Sequence, residues 1–396
     1  MRTKRQVCLS VMIFLAAAAL LSGCGIFGGS SSKTKSLIVG DYDNFRVLIY
    51  EAPFSTNQSA SVALGQSSLT AATQGTTASA MDRIDGVTTD ADGNIWVVEE
   101  NCRILQFQRP FTTGMSASVV VGKPDFTTAG CANAPTASEI GYGVGLAFDG
   151  SGNLWVADWT NNRVMEFKSP FTNGMAATLV LGQADFTHGN GACTATSGSS
   201  LCAPRDIVFD ASGNLWVADG DNNRILQFKK PFSNGMAATL ELGQPAATAF
   251  TTKDVNSGGL SASSLSTPNG LAFDSRGNLW VADWHNNRVL EFKSPFSNGM
   301  VASLVLGQTG FTTATTGTTS ATFNGSADVA FDSGGDLYVT DDSNNRTLIF
   351  APPFSNGMAA TTVLGQADFT HGAINQGGTV GAQTQSEPFS VTTSMH

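Results

Sequence analysis

The chain has 396 residues, 13% of them charged and 41% hydrophobic, with 43 glycines and 25 phenylalanines. That length accommodates one large all-β domain or two ordinary ones. A formal net charge of −10, with no basic run beyond residue 5, speaks against nucleic acid or an anionic membrane face as a partner.

The first segment in chain order stands apart from the rest. Arg2, Lys4 and Arg5 precede the apolar run "VCLSVMIFLAAAALL" (7–21), which is too short for a comfortable membrane span. It ends in "LSGC" (21–24), which resembles the lipobox of bacterial lipoproteins. That resemblance implies a signal peptide over 1–23, cleavage before Cys24 and lipid on that cysteine. Residues 24–35 follow as a Gly/Ser-rich tether. Gly25 after the lipidated cysteine resembles outer-membrane sorting in a Gram-negative host. The expected address is the cell envelope, with membrane contact through the anchor alone.

From residue 36 to 396 the chain repeats itself. Ile38, Trp96, Trp155, Trp216, Trp280 and Tyr338 are equivalent positions, 58 to 64 residues apart. Each unit reads as four strands. The first is "GLAFD" (145–149) and its variants; after a Gly-Asn turn comes the second, "LWVAD" (154–158). An "NNR" corner leads to the third, "RVLEF" (288–292), and a "PFSNGM" reversal (295–300) to the fourth, "ASLVLGQ" (302–308). No segment shows a useful helical period. A four-stranded unit with two apolar faces cannot bury both alone, so radial stacking into a β-propeller is expected. The first unit lacks its opening strand, and "PFSVTTS" (388–394) is an unaccompanied one. The expectation is all-β: six four-stranded antiparallel blades, with N- and C-terminal strands closing one composite blade.

"GNLWVADWTNNRV" (152–164) and "GNLWVADWHNNRV" (277–289) closely resemble the signature of the NHL-repeat family. The likeness runs from about residue 35 to 394. The units here are longer than is usual in that family. The excess lies between fourth and first strands, in stretches such as 309–326, where long connections often carry binding roles. Leaving aside Cys8 in the signal and Cys24 under lipid, four cysteines remain. Three pairings are open, and their places favour Cys102–Cys131 and Cys193–Cys202.

The residues that recur are expected to be structural: mid-strand Trp for blade packing, and Asp/Arg pairs such as Asp283/Arg288 for one hairpin corner. "DADGN" (90–94) has the start of a calcium loop but is read as a hairpin turn like its sister copies. The residues that change between copies carry the functional reading. After the acid that ends the second strand, the six blades carry Tyr42, Glu100, Trp159, Gly220, Trp284 and Asp342. Aromatics on alternate blades, with His285 beside Trp284, suggest a rim that stacks a sugar or grips a peptide. The channel mouth offers Asp85, Arg205, Asp206, Asn269 and Asp328, a set able in principle to hold a divalent cation such as Ca²⁺. Related propellers include virginiamycin-type lyases and gluconolactonase-like hydrolases. The lyases use histidines around the channel, and no first strand here contains one. No Ser-His-Asp set or phosphate loop is evident. The reading is therefore a monomeric, lipid-anchored envelope propeller that binds protein or glycan on its long-loop face, without cofactor and not evidently an enzyme. The alternative is a metal-dependent lyase or hydrolase acting at the channel mouth.

Overall fold

Four apolar residues in a row closed by an aspartate, as in Leu154–Asp158 or Leu279–Asp283, form strands buried on both faces. Such strands need a neighbour above and below, and six stacked sheets supply it. The computed structural model describes residues 35–131, 134–188, 193 and 196–395. The stretch read as a signal peptide, Cys24 with its expected lipid, and nearly all of the expected tether lie outside these.

Six four-stranded antiparallel sheets surround one axis. Their inner strands are Pro388–Met395, Ile84–Thr89, Gly143–Phe148, Pro204–Phe209, Pro268–Phe273 and Ser326–Phe331, numbered here as blades one to six. Each inner strand packs against the next, and the last against the first. The tail closes the circle: Lys35–Asp41 pairs with Pro388–Met395, Ile38 opposite Thr392. The expected composite blade is thus present. Fourth strands are shorter than anticipated, for example only Leu304–Leu306. The following Gly307 takes φ 81°, which turns the chain inward and ends the pairing.

The core lies between blades, in six separate apolar clusters. Trp155 is typical. It is fully buried and meets Phe209 and Phe232 of the next blade edge to face, at 5.7 and 5.0 Å between centroids. Each such ring is worth about 2–3 kcal/mol of burial. Its indole N–H donates to Asp149, the acid that also accepts the turn N–H groups of Ser151 and Asn153. Asp90 of "DADGN" does the same for Trp96, so that stretch is a hairpin turn.

At the opposite end of each blade a buried knot fixes the long loops. In blade five Arg288 donates to Asp283 (2.7 Å), to the carbonyl of Phe311 in the outgoing loop and to that of Ser264 in the incoming one. The other oxygen of Asp283 accepts the Ser266 N–H. Asn286 donates to the same acid. Asn287 sits at φ 50° and accepts the Gly325 N–H of the next blade. Cys102 stands at this left-handed position in blade two and is bonded to Cys131 in the following loop. Cys193 and Cys202 are joined as well.

Candidate functional site

Every inner strand is irregular at its second and third residues. Leu271 pairs with Val281 and Pro268 with Asp283, so Asn269 and Gly270 together oppose Ala282. The same irregularity falls at Asp85, Val144–Gly145, Arg205–Asp206, Ala327–Asp328 and Phe389. A bulge re-aims side chains and strands a backbone N–H. Here Asp206 accepts the N–H of Leu271 in blade five (2.8 Å), and Asp328 that of Val391 in blade one (2.8 Å). Gly145 and Gly270 let these acids in, since a Cβ would stand 2.6 and 2.3 Å from their Oδ1 atoms. The channel therefore has a waist about one water across, about 30 Å³, lined by Asp85, Arg205, Asp206, Asn269, Asp328 and Ser390 among others.

Above the waist opens a bowl of about 340 Å³. Tyr42, Trp159 and Trp284 line it together with Asp85 and Arg205, so the aromatic rim and part of the channel mouth are one site. Asn269 lies lower, in the waist. Asp206 and Asp328 face the waist and the depression at the opposite end of the channel. His285 does not line the bowl: it stacks on Trp284 (4.7 Å, 26°), with its Nδ1 3.0 Å from Thr267 Oγ1. Tyr142, Glu387 and Phe389 line the bowl and were not singled out in the sequence. Tyr142 and Glu387 come from the ends of long loops, where the copies cannot be aligned. Phe389 was legible only as strand, because its outward turn depends on the bulge.

The alternation around the rim has a chemical meaning. Tyr42 donates its hydroxyl to Glu100 of the next blade (2.5 Å), and Trp284 its indole N–H to Asp342 of the next (3.1 Å). Trp159 is the third member, but the next blade carries Gly220 in place of an acid. Trp159 Nε1 is accordingly buried with no hydrogen-bond partner among the described residues. Arg205 fills the space, since a Cβ on Gly220 would lie 2.8 Å from its Cδ and Nε. Its guanidinium stands 4.9 Å over the Trp284 ring, and Arg83 stands 5.5 Å over Tyr42. Tyr142 and Trp159 meet edge to face at 6.5 Å and 63°, with no such cover among the described residues.

The electrostatics follow from burial. Asp85 is pushed well above the carboxylate range by burial, then by Glu100, Glu99 and Asp82. Burial lifts Asp342 to about 7 and lowers Arg205. Asp206 rises to about 7 by burial, and Asp328 is raised well above the ordinary value by burial and then by Asp206 beside it. Asp85 Oδ2, Arg205 Nε, Asn269 Nδ2 and Ser390 Oγ have no partner among the described residues, like Trp159 Nε1. No three His, Cys, Asp or Glu side chains among the described residues converge as metal ligands. The physical reason is visible at Asp206 and Asp328, whose oxygens are turned to backbone N–H groups.

A closed ring of six blades, with an aromatic and acidic bowl at the mouth where the long loops gather, defines a six-bladed β-propeller. The NHL repeat matches residues 201–228 and 265–292, the inner three strands of blades four and five. The chain thus carries NHL repeats on a six-bladed propeller. A protein of unknown function from Bacteroides caccae shares the fold, with a TM-score of 0.51 at 10% identity over 91% of this chain and 98% of that one. The periplasmic gluconolactonase of Pseudomonas aeruginosa gives 0.48 at 15% identity, over 83% and 81%. A catalytically inactive virginiamycin B lyase from Staphylococcus aureus, solved with quinupristin, gives 0.43 at 14%, over 82% and 83%. The first of these likenesses speaks to fold alone, and nothing is drawn from the other two. No curated protein matches the sequence.

Proposed function

We propose that this chain is a lipid-anchored envelope receptor whose bowl binds a saccharide. The lapse in the rim pattern carries the reading. At Gly220 the protein withholds the acid that would satisfy Trp159 and leaves its indole donor buried without a partner. A guanidinium donor (Arg205 Nε) and a carboxyl oxygen (Asp85 Oδ2) of residues lining the same bowl are likewise buried and unpartnered among the described residues. A buried polar atom without a partner costs about 1–3 kcal/mol, so a ligand that bonds these atoms recovers that energy. Sugar hydroxyls both donate and accept, and the C–H face of a pyranose covers an aromatic ring. The anchoring part of the proposal rests on the lipobox-like "LSGC" at 21–24.

The test is a glycan array probed with the wild-type chain and with Trp159→Ala and Trp284→Ala. Saccharide binding that both variants lose supports the proposal. Undiminished binding by both, or binding only to envelope proteins, sinks it.

A further inference from the structure

The saccharide reading leaves the charge of the ligand open, and the bowl is not neutral. Four carboxyl side chains, Asp85, Glu100, Asp342 and Glu387, line it against one guanidinium, Arg205. That guanidinium already lies over Trp284. Glu100 is held by the Tyr42 hydroxyl and by Arg83, 3.6 Å away just outside the lining, and Asp342 by the Trp284 indole. Asp85 Oδ2 is buried without a partner. A neutral sugar satisfies its hydrogen bonding, but only a cation favours its ionised form, which burial and the neighbouring acids disfavour.

The protein itself shows what these rings accept. Two rim aromatics, Tyr42 and Trp284, each carry one of its own arginines over the ring. Trp159 and Tyr142, of blade three, carry none among the described residues, and they line the same bowl as Asp85 of the adjacent blade two. A cation over an aromatic face and beside a carboxylate gains from both.

We infer that the bowl selects a saccharide bearing a free amino group, whose ammonium sits between Asp85 and the uncovered Trp159–Tyr142 pair. This rests on the saccharide reading above. A lysine side chain offers the same charge but brings no acceptor for Trp159 Nε1 and Arg205 Nε, which hydroxyl oxygens supply. Raised as it is by burial and three neighbouring acids, the Asp85 carboxyl gains most from an incoming positive charge. The net charge of −10 draws cationic ligands toward the molecule from a distance.

Isothermal titration of the full chain at about pH 6.5, where the amine is charged, uses three probes: a glucosamine oligomer, the N-acetylglucosamine oligomer of equal length, and an oligolysine. The expected result is binding of the glucosamine oligomer at least about tenfold tighter than its acetylated counterpart. In Asp85→Asn that preference falls to near parity, while the thermal midpoint stays close to wild type. Equal affinities for the two sugars in the wild-type chain overturn the inference and leave the saccharide reading standing. Tighter binding of oligolysine than of either sugar overturns both. Silence with all three probes overturns the inference, and the array then decides the reading beneath it.

Discussion

Trp155 and Trp159 stand four residues apart and do different work. The first is fully buried between blades, with its N–H bonded to Asp149. The second is half-buried in the bowl, with its N–H unpartnered. Trp159→Ala is therefore expected to cost at least about tenfold in saccharide affinity but little stability, whereas Trp155→Ala costs about 3–5 kcal/mol of stability. Urea unfolding beside the binding assay separates the two, and a large stability loss in Trp159→Ala contradicts the assignment. Arg288 gives a second contrast. It is completely buried against Asp283, so Arg288→Leu leaves an uncompensated carboxylate and is expected to cost about 3–5 kcal/mol. An unchanged urea midpoint refutes that. The sequence marked Trp159 and Trp284 because they vary where neighbours repeat. It marked Arg205 and Asp85 as a separate group, because nothing linear says that the first strands and the rim aromatics line one bowl.

At the scale of elements, the bulged inner strands decide where the site lies. Alternation in "PRDIVFD" (204–210) reads as an ordinary strand, and on an ordinary strand only one of Arg205 and Asp206 points at any one face. The bulge changes that: Arg205 rises into the bowl and Asp206 turns to the next blade. This was not legible, since the pattern of apolar residues fixes a strand's faces but not an extra residue within it. The clasping acids also set a pH dependence. Asp206 titrates near about 7 in the fold against an ordinary 3.8, and Asp342 does likewise. Between those values the folded chain holds protons that the unfolded chain has released. Their contribution is fully present below about pH 4 and is lost as pH rises through about 7. The urea midpoint is expected to fall from pH 5 to pH 8 on this account, and Asp206→Asn to flatten the slope. A slope of opposite sign that Asp206→Asn leaves untouched contradicts it.

For the whole molecule, closure by the tail was the most legible feature, because a missing first strand and a surplus one are complementary in any register. The structure pairs them over Lys35–Asp41. Removing residues 388–396 exposes that edge and breaks the ring between blades six and two, so the shortened chain is expected to lose cooperative unfolding and to self-associate. A sharp, monomeric transition in that chain refutes the closure argument. The repeat also explains why the site resisted reading: the four strands of each blade are common structure, and the ligand surface is assembled from the exceptions. The most direct measurement follows the indole N–H signals of the six tryptophans as glucosamine oligomer is added. The account predicts that the Trp159 signal, assigned through Trp159→Phe, shifts markedly while those of Trp96, Trp155, Trp216 and Trp280 hold still. A bound oligomer that leaves Trp159 unmoved contradicts it.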